Sequence, residues 1–253
     1  LLPDRPASAH KGDCGRTVIY AGSLGMAGAA MMAARAALHA GAGLTTVICP
    51  RAAMPVLQQE VPNATCLAAE DQPTPKCDAL LMGCGIAEND DTYADMMHLK
   101  ATDAYQVWDA GALNLLAGHP QQLGARAVIT PHAGEAARLL GWEIPAVLSD
   151  KLGAAEALRA KYGCNVVLKS AVTVMLTADG QQCALNAVGS PALAKGGSGD
   201  ALAGILASLL GQGLPMFDAM RAACLWLGLA GIAAGKRCGV RAALTGDVID
   251  SLG

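Results

Sequence analysis

The chain has 253 residues, 53% of them hydrophobic, 15% charged and 3% aromatic, with 30 glycines and a single Phe. That composition excludes disorder and fits one sizeable α/β core built from Ala, Leu, Val, Ile and Met. A net charge of −3, with no basic run and few aromatics for base stacking, excludes a nucleic-acid binder.

The predicted elements alternate along the chain. A first strand at Val18-Ile19-Tyr20 leads through Gly22-Ser23-Leu24-Gly25-Met26-Ala27-Gly28 into an Ala-rich helix near 28–40. Strands follow at 44–49, 78–82 (ending at Gly83-Cys84-Gly85), 105–109, 127–130 and 165–169, with a helix at about 150–162 before the last. These are short continuous apolar runs, the pattern of strands covered on both faces. Segments 173–177 and 182–186 flank Ala178-Asp179-Gly180 and predict a hairpin with an Asp-Gly turn. A glycine loop and two helices, near 200–211 and 217–235, complete the chain. The reading is a single domain over 1–253: a mostly parallel sheet between helix layers, with an antiparallel edge hairpin.

Residues 17–34, 201–217 and 222–235 are apolar enough to be weighed as membrane spans. Glycines, Gln212 and Pro215 interrupt the first two, and the third falls short of the roughly 20 residues a bilayer requires. Core helices and no membrane association are therefore expected, and no signal peptide is read ahead of the first motif. Nine cysteines without a CxxC spacing predict neither a disulfide framework nor a zinc site. They read as small buried hydrophobes in a reducing cytoplasm.

The strongest chemical signal is Lys195-Gly196-Gly197-Ser198-Gly199-Asp200, running into an apolar helix. Glycines let successive N–H groups converge, and a helix N-terminus adds partial positive charge, which together make an anion site. A carboxylate beside a phosphate is repulsive unless it handles a proton or a metal, so Asp200 is the predicted catalytic acid–base group. Thr130-Pro131-His132-Ala133-Gly134-Glu135 ends a strand, where ligands bind in open α/β sheets. His132 is either a ligand contact or a capping residue, and Glu135 reads as first-turn helix chemistry. Asp109 either holds a metal or caps the helix around 112–118. Lys169 either steers phosphates or is an exposed strand-end lysine. At Gly83-Cys84-Gly85, glycine permits close backbone approach by a ligand. The Gly22–Gly28 loop lacks GxGxxG spacing, and no GxxxxGK[ST] exists, which excludes Rossmann and P-loop assignments.

Taken in order, these motifs resemble the ADP-dependent NAD(P)H-hydrate dehydratase family of the ribokinase-like fold. The resemblance runs from His10-Lys11-Gly12-Asp13-Cys14-Gly15 through Ala40-Gly41-Ala42-Gly43-Leu44, Gly83-Cys84-Gly85 and Val107-Trp108-Asp109-Ala110. It continues through Thr130–Glu135, Val167-Leu168-Lys169 and Gly196–Asp200 to Leu244-Thr245-Gly246-Asp247-Val248. It implies nucleotide-dependent dehydration of the S epimer of the hydrates NADHX and NADPHX back to NADH and NADPH, by phosphorylating the hydrate hydroxyl to make a leaving group. By the same resemblance, Asp200 is the base and Gly196, Gly197, Ser198 and Gly199 form the anion hole. Ala42, Gly85, His132 and Asp200 contact the hydrate; Lys169, Ser170, Ala171, Val172, Thr173 and Gly199 contact the nucleotide. The resemblance further implies ADP or ATP with Mg2+ as co-substrate, no resident protein-bound metal, and a homotetramer. A hydrate epimerase domain lies ahead of this one in many bacterial members, and the opening at Leu1 rather than Met raises the same expectation here.

Departures are Ser170 in place of a frequent glycine, Ser190-Pro191-Ala192-Leu193 in place of an Asn/Gly-rich lead, and the bulky Trp108. A kinase of the same fold, acting on a hydroxymethylpyrimidine or thiazole alcohol, would share the glycine loop and Asp200. It would not be expected to carry Thr130–Glu135 together with His10-Lys11-Gly12. An inactive nucleotide-binding module would have no use for Asp200.

Overall fold

The computed structural model describes residue 2 and residues 5–253. Among them, nine strands form one sheet: β1 (Arg16–Tyr20), β2 (Leu44–Cys49), β3 (Thr65–Ala68), β4 (Ala79–Met82), β5 (Tyr105–Trp108), β6 (Ala127–Ile129), β7 (Asn165–Leu168), β8 (Thr173–Leu176) and β9 (Cys183–Asn186). Their spatial order is β3-β2-β1-β4-β5-β6-β7-β8-β9. β1 through β7 pair in parallel, and β8 and β9 add antiparallel at the edge. The expected parallel sheet with an antiparallel hairpin is therefore present.

The helices are α1 (Ala27–His39), α2 (Met54–Glu60), α3 (Asp90–Lys100), α4 (Gly111–Gly118), α5 (Ala133–Leu140), α6 (Ile144–Ser149), α7 (Lys151–Tyr162), α8 (Ser198–Gly211), α9 (Met216–Cys238) and α10 (Thr245–Ile249). Alternation along each strand divides the core between two layers. Ile19, Val47 and Leu81 face α1, α2, α8, α9 and α10. Val18, Leu80, Met82 and Trp108 face α3, α4, α5, α6 and α7. An Ala/Gly-rich chain can build such a core because its helices approach closely. A Cβ added at Gly204 of α8 would lie 2.2 Å from the Ala33 carbonyl oxygen of α1, and the face of α1 is lined by Ala30, Ala33, Ala34, Ala36 and Ala37.

Several expectations need correction. β3, α2, α3, α6 and α10 lie in stretches for which no element was expected. Asp78, expected to open the third strand, lies outside β4, and its carboxylate accepts from the Arg16 backbone N–H at 2.8 Å. The run 222–235 belongs to a longer helix, α9, of 23 residues, because Phe217, Asp218, Arg221, Lys236 and Arg237 extend it at both ends. By length and composition α9 could cross a membrane. Half of its most apolar window is buried, and it packs against α8 and α10.

β1 has β2 on one side and β4 on the other, so successive connections leave it in opposite directions. That reversal opens a crevice at the carboxyl ends of the strands, where α/β sheets bind ligands. α8 lies against β1, β4 and β5. Its C-terminal end sits beside Gly15 and Thr17, so its N-terminus is at the crevice.

Candidate active site

The crevice is assembled from strand ends. After β5, Ala110 takes φ +49° and ψ −117°, a conformation costly for a non-glycine residue. The turn also needs Gly83, because a Cβ there would lie 1.8 Å from the Asp109 carbonyl oxygen. Asp109 is 1% exposed. Its Oδ1 accepts from the Thr130 hydroxyl at 2.7 Å and the Lys169 ammonium at 2.6 Å. It therefore does not cap α4, whose N-terminal residue has no side-chain cap. Nor is Lys169 an exposed strand-end lysine: its side chain is 19% exposed and its Nζ also lies 4.0 Å from Glu135. Burial alone would lower the Lys169 pKa, but the charges of Asp109 and Glu135 outweigh it and hold the ammonium raised.

His132 and Lys169 are brought together by a parallel bridge between their loops, with the Lys169 N–H donating to the Pro131 carbonyl at 2.8 Å. His132 Nδ1 accepts from the N–H groups of Gly134 and Glu135 at 3.0 and 3.2 Å, and Glu135 accepts from the His132 N–H at 2.8 Å. This capping box gives His132 a structural task, while 60% of its side chain stays exposed.

The glycine loop turns at Gly197 (φ +93°), and α8 begins at Ser198, two residues earlier than expected. Thr245 holds the loop by donating to the Gly196 carbonyl at 2.8 Å. First-turn N–H groups of a helix have no acceptor within it; that of Ser198 donates to the Lys195 carbonyl at 3.4 Å, and those of Gly199 and Asp200 are available to an anion. The Lys169 ammonium adds charge beside them, 3.2 Å from where a Gly199 Cβ would sit. Asp200, third in α8, lies with Asp109 and Cys84 in a cluster whose oxygens and sulfur are within 4.8 Å of one another. Burial first, then the Asp109 charge, pushes the Asp200 carboxyl up to about 6. A carboxyl with that value can accept a proton at neutral pH and hold it as a neutral acid.

Two adjoining cavities with a shared wall open beside the glycine loop, His132 and Lys169. One of ≈ 560 Å³ is lined by His132, Lys169, Ser170, Thr173 and the Gly196, Ser198 and Gly199 loop. Ser170, Thr173, Leu193, Leu202 and Leu227 also line the second, of ≈ 550 Å³, which extends to Ala171, Val188 and Cys224. The wall formed by Val188, Leu193, Leu202, Cys224 and Leu227 was not read from sequence, because its members look like ordinary helix and loop apolar residues. Gly85 follows Cys84 at the crevice, but its missing side chain is explained by packing: a Cβ would lie 2.7 Å from the Met26 carbonyl oxygen. Ala42 is not brought to this site. It lies in the α1–β2 turn beside Gln212, whose Nε2 donates to the Ala40 carbonyl at 2.9 Å. The 14 residues of α8 separate it from Asp200 by roughly 20 Å at ~1.5 Å per residue.

Comparison with known proteins agrees with this architecture. A family model described as NAD(P)H-hydrate dehydratase matches residues 17–252. The chain is 38% identical over 256 residues to the bifunctional NAD(P)H-hydrate repair enzyme Nnr of Escherichia coli K12, covering all of this chain and 49% of that protein. It is 34% identical over 242 residues to the ADP-dependent (S)-NAD(P)H-hydrate dehydratase of Neisseria meningitidis serogroup B, covering 91% of this chain and 79% of that one. The chain spans about half the length of the bifunctional relatives it matches. A crystal structure of the ADP/ATP-dependent NAD(P)H-hydrate dehydratase of Bacillus subtilis, co-crystallised with ATP/Mg2+, superposes with a TM-score of 0.89 at 27% identity, over 99% of this chain and 92% of that one. A hydroxyethylthiazole kinase from Pyrococcus horikoshii shares the fold alone, with a TM-score of 0.67 at 14% identity. With the ribokinase-like fold and the Gly196–Asp200 loop at its crevice, the chain belongs to the NAD(P)H-hydrate dehydratase family.

Proposed function

We propose that the chain uses an adenine nucleotide, ADP or ATP, to dehydrate the S epimer of NADHX or NADPHX. The observation that carries this reading is Asp200: a half-buried carboxyl pushed up to about 6, one residue beyond an amide-lined anion loop and close to Lys169. Asp200 takes the proton of the hydrate hydroxyl as its oxygen attacks the terminal phosphorus. The first-turn amides of α8 and the Lys169 ammonium carry the charge that develops on the transferring phosphoryl group. Phosphate then leaves with the former hydroxyl oxygen, a ring C–H proton is lost, and the double bond of the reduced nicotinamide is restored. The Ser198 hydroxyl, buried without a hydrogen-bond partner, is an orphan that a bound phosphate oxygen would satisfy.

The Cys84, Asp109 and Asp200 cluster is a poor fit for a resident Mg2+, which requires oxygen ligands in octahedral array. One member is a thiol, and the ammonium of Lys169 already pairs with Asp109. Mg2+ is accordingly assigned to the nucleotide phosphates, as part of the co-substrate. The phosphates occupy the cavity at Lys169 and Gly199, and the base lies toward Ser170–Thr173 and Val188. The hydrate is assigned the Asp200, His132 and Gly85 side of the crevice.

Incubation with NADH hydrate and ADP or ATP, following return of reduced-nicotinamide absorbance, tests the reading. No return with either nucleotide would refute it. A single functional domain over 1–253, a cytoplasmic setting and a homotetramer belong to the same proposal. Nine free cysteines support the cytoplasmic setting; exposed Leu185, Leu229 and Leu244 support self-association, which light scattering on the purified protein checks. The bifunctional relatives support an upstream epimerase domain, which reading the gene ahead of Leu1 tests.

A further inference from the structure

Cys84 is the buried nucleophilic group beside Asp200 that the chemistry above leaves unused. It is 0% exposed, and its backbone is clamped from two directions. The Gly22 N–H donates to its carbonyl at 2.8 Å. On either side of it, a Cβ at Gly83 would collide with the Asp109 turn and one at Gly85 with the Met26 backbone. The clamp fixes the thiol within 4.8 Å of a carboxylate oxygen of both Asp109 and Asp200. A buried cysteine that only filled space would not require two acids around its sulfur, since an S–H there is a hydrogen-bond donor rather than an inert methyl.

We infer that Cys84 is a positioning residue for the base: its S–H donates to the Asp200 carboxylate, aiming it and favouring its ionised form. The inference rests on the assignment of Asp200 as the base. The charges around Asp200 give the donor its importance. Asp109 from the end of β5 and Glu135 from α5 oppose a second negative charge, and Lys169 from the end of β7 supports it. Among these groups Cys84 alone is a neutral side-chain donor, its sulfur within 4.8 Å of a carboxylate oxygen of Asp200. Burial, then the charges of Asp200 and Asp109, keep the Cys84 pKa well above its ordinary value, so the thiol retains the proton it donates.

The sign follows. Removing the donor disfavours ionised Asp200 and moves the acid limb of turnover to higher pH. A sulfur donor is weaker than the usual donor to a charged group, so a displacement of about one pH unit is the upper expectation. From a starting value of about 6, that is a loss of about fivefold at pH 6 and almost none at pH 9. Cys84→Ala and Cys84→Val, the second filling the volume of the thiol, both lack the donor. Cys84→Ser keeps one.

The experiment measures kcat against pH from 6 to 9 for wild type and the three variants with NADH hydrate and ADP. It is paired with a carbon-13 NMR titration of the aspartate carboxyls of each protein without substrate. Asp200→Asn identifies the resonance. The expected result is a raised limb and a raised Asp200 titration in the Ala and Val variants, with both restored in Ser. Identical profiles and titrations in all four proteins would reduce Cys84 to packing. A wild type that does not turn over the hydrate would remove the functional assignment, and the titration, which needs no substrate, would still decide whether the thiol acts on Asp200.

Discussion

Replacing Asp200 by Asn should make the protein more stable and nearly inactive. Raising its carboxyl from 3.8 to about 6 means that burial and Asp109 penalise the ionised form by about 3 kcal/mol at 1.36 kcal/mol per pH unit. Against this, an acid in the first turn of a helix gains about 0.3–1 kcal/mol from the dipole. No cap is lost, because the residue at the cap position of α8 is Gly197, which has no side chain to cap with. The net gain on neutralisation is about 2 kcal/mol. The folded state binds the Asp200 proton more tightly than the unfolded chain, so wild-type stability falls as pH rises from about 4 through about 6, and the loss is complete above that window. The Asn variant should therefore exceed wild type by about 2 kcal/mol at pH 8, or roughly 4–8 °C in Tm, and match it near pH 4. Turnover should fall by about a hundred- to ten-thousand-fold with nucleotide affinity held or improved. Denaturant melts at the two pH values and single-turnover assays measure both effects. A stability difference that does not change with pH, or near-wild-type turnover of a folded variant, would refute the assignment.

Three other substitutions separate neighbouring roles. Gly199→Val places a branched side chain against the Lys169 ammonium and should abolish nucleotide binding measured by calorimetry while leaving the fold intact. His132→Ala removes the α5 cap and should cost about 1 kcal/mol; His132→Asn keeps a capping acceptor, so loss of hydrate use in the Asn variant with nucleotide affinity preserved isolates the ligand contact. Because the His132 and Lys169 loops are bridged, the Ala variant alone would not separate them. Lys169→Met leaves Asp109 buried and unpaired, a loss of about 3–5 kcal/mol at neutral pH, and the double variant with Asp109→Asn should recover most of it in thermal melts.

The parallel strands were legible because strands covered on both faces are short apolar runs: Ala79–Met82 and Val166–Leu168 stand out without any partner being known. β3 was not, since a four-residue edge strand with alternating burial carries too short a signal. α3 was hidden by Asp90-Asp91 and His98, its surface residues outweighing Met96 and Leu99, its buried apolar anchors. At the site, sequence located Asp200, His132 and Lys169 because each ends a strand or begins a helix. It left Asp109 open between two roles, and the structure gives a third, an ion pair with Lys169, 60 residues further along the chain. No local spacing encodes that partnership; it exists because β5, β6 and β7 are neighbours in the sheet.

Linear order also conceals which end of the sheet a motif occupies. The resemblance draws on His10–Gly15 and Ala40–Leu44 as well as on Gly196–Asp200, yet the first two meet at the amino ends of the strands, under the last turn of α8. Their glycines are explained by contact between backbones. A Cβ at Gly43 would lie 1.9 Å from the Lys11 carbonyl oxygen, and one at Gly15 2.2 Å from that of Gly211. Both positions are closed to any larger residue without moving main chain, which is a sufficient physical reason for glycine with no ligand present. The resemblance assigns neighbouring Ala42 to the hydrate, but within one chain Ala42 shares this corner rather than the crevice. A motif can thus identify a family through a packing constraint while the chemistry sits at the other end of the same helix. In this chain α8 joins the two: its C-terminal turn closes on Gly15, and its first turn supplies the amides and the carboxyl that the proposed reaction uses.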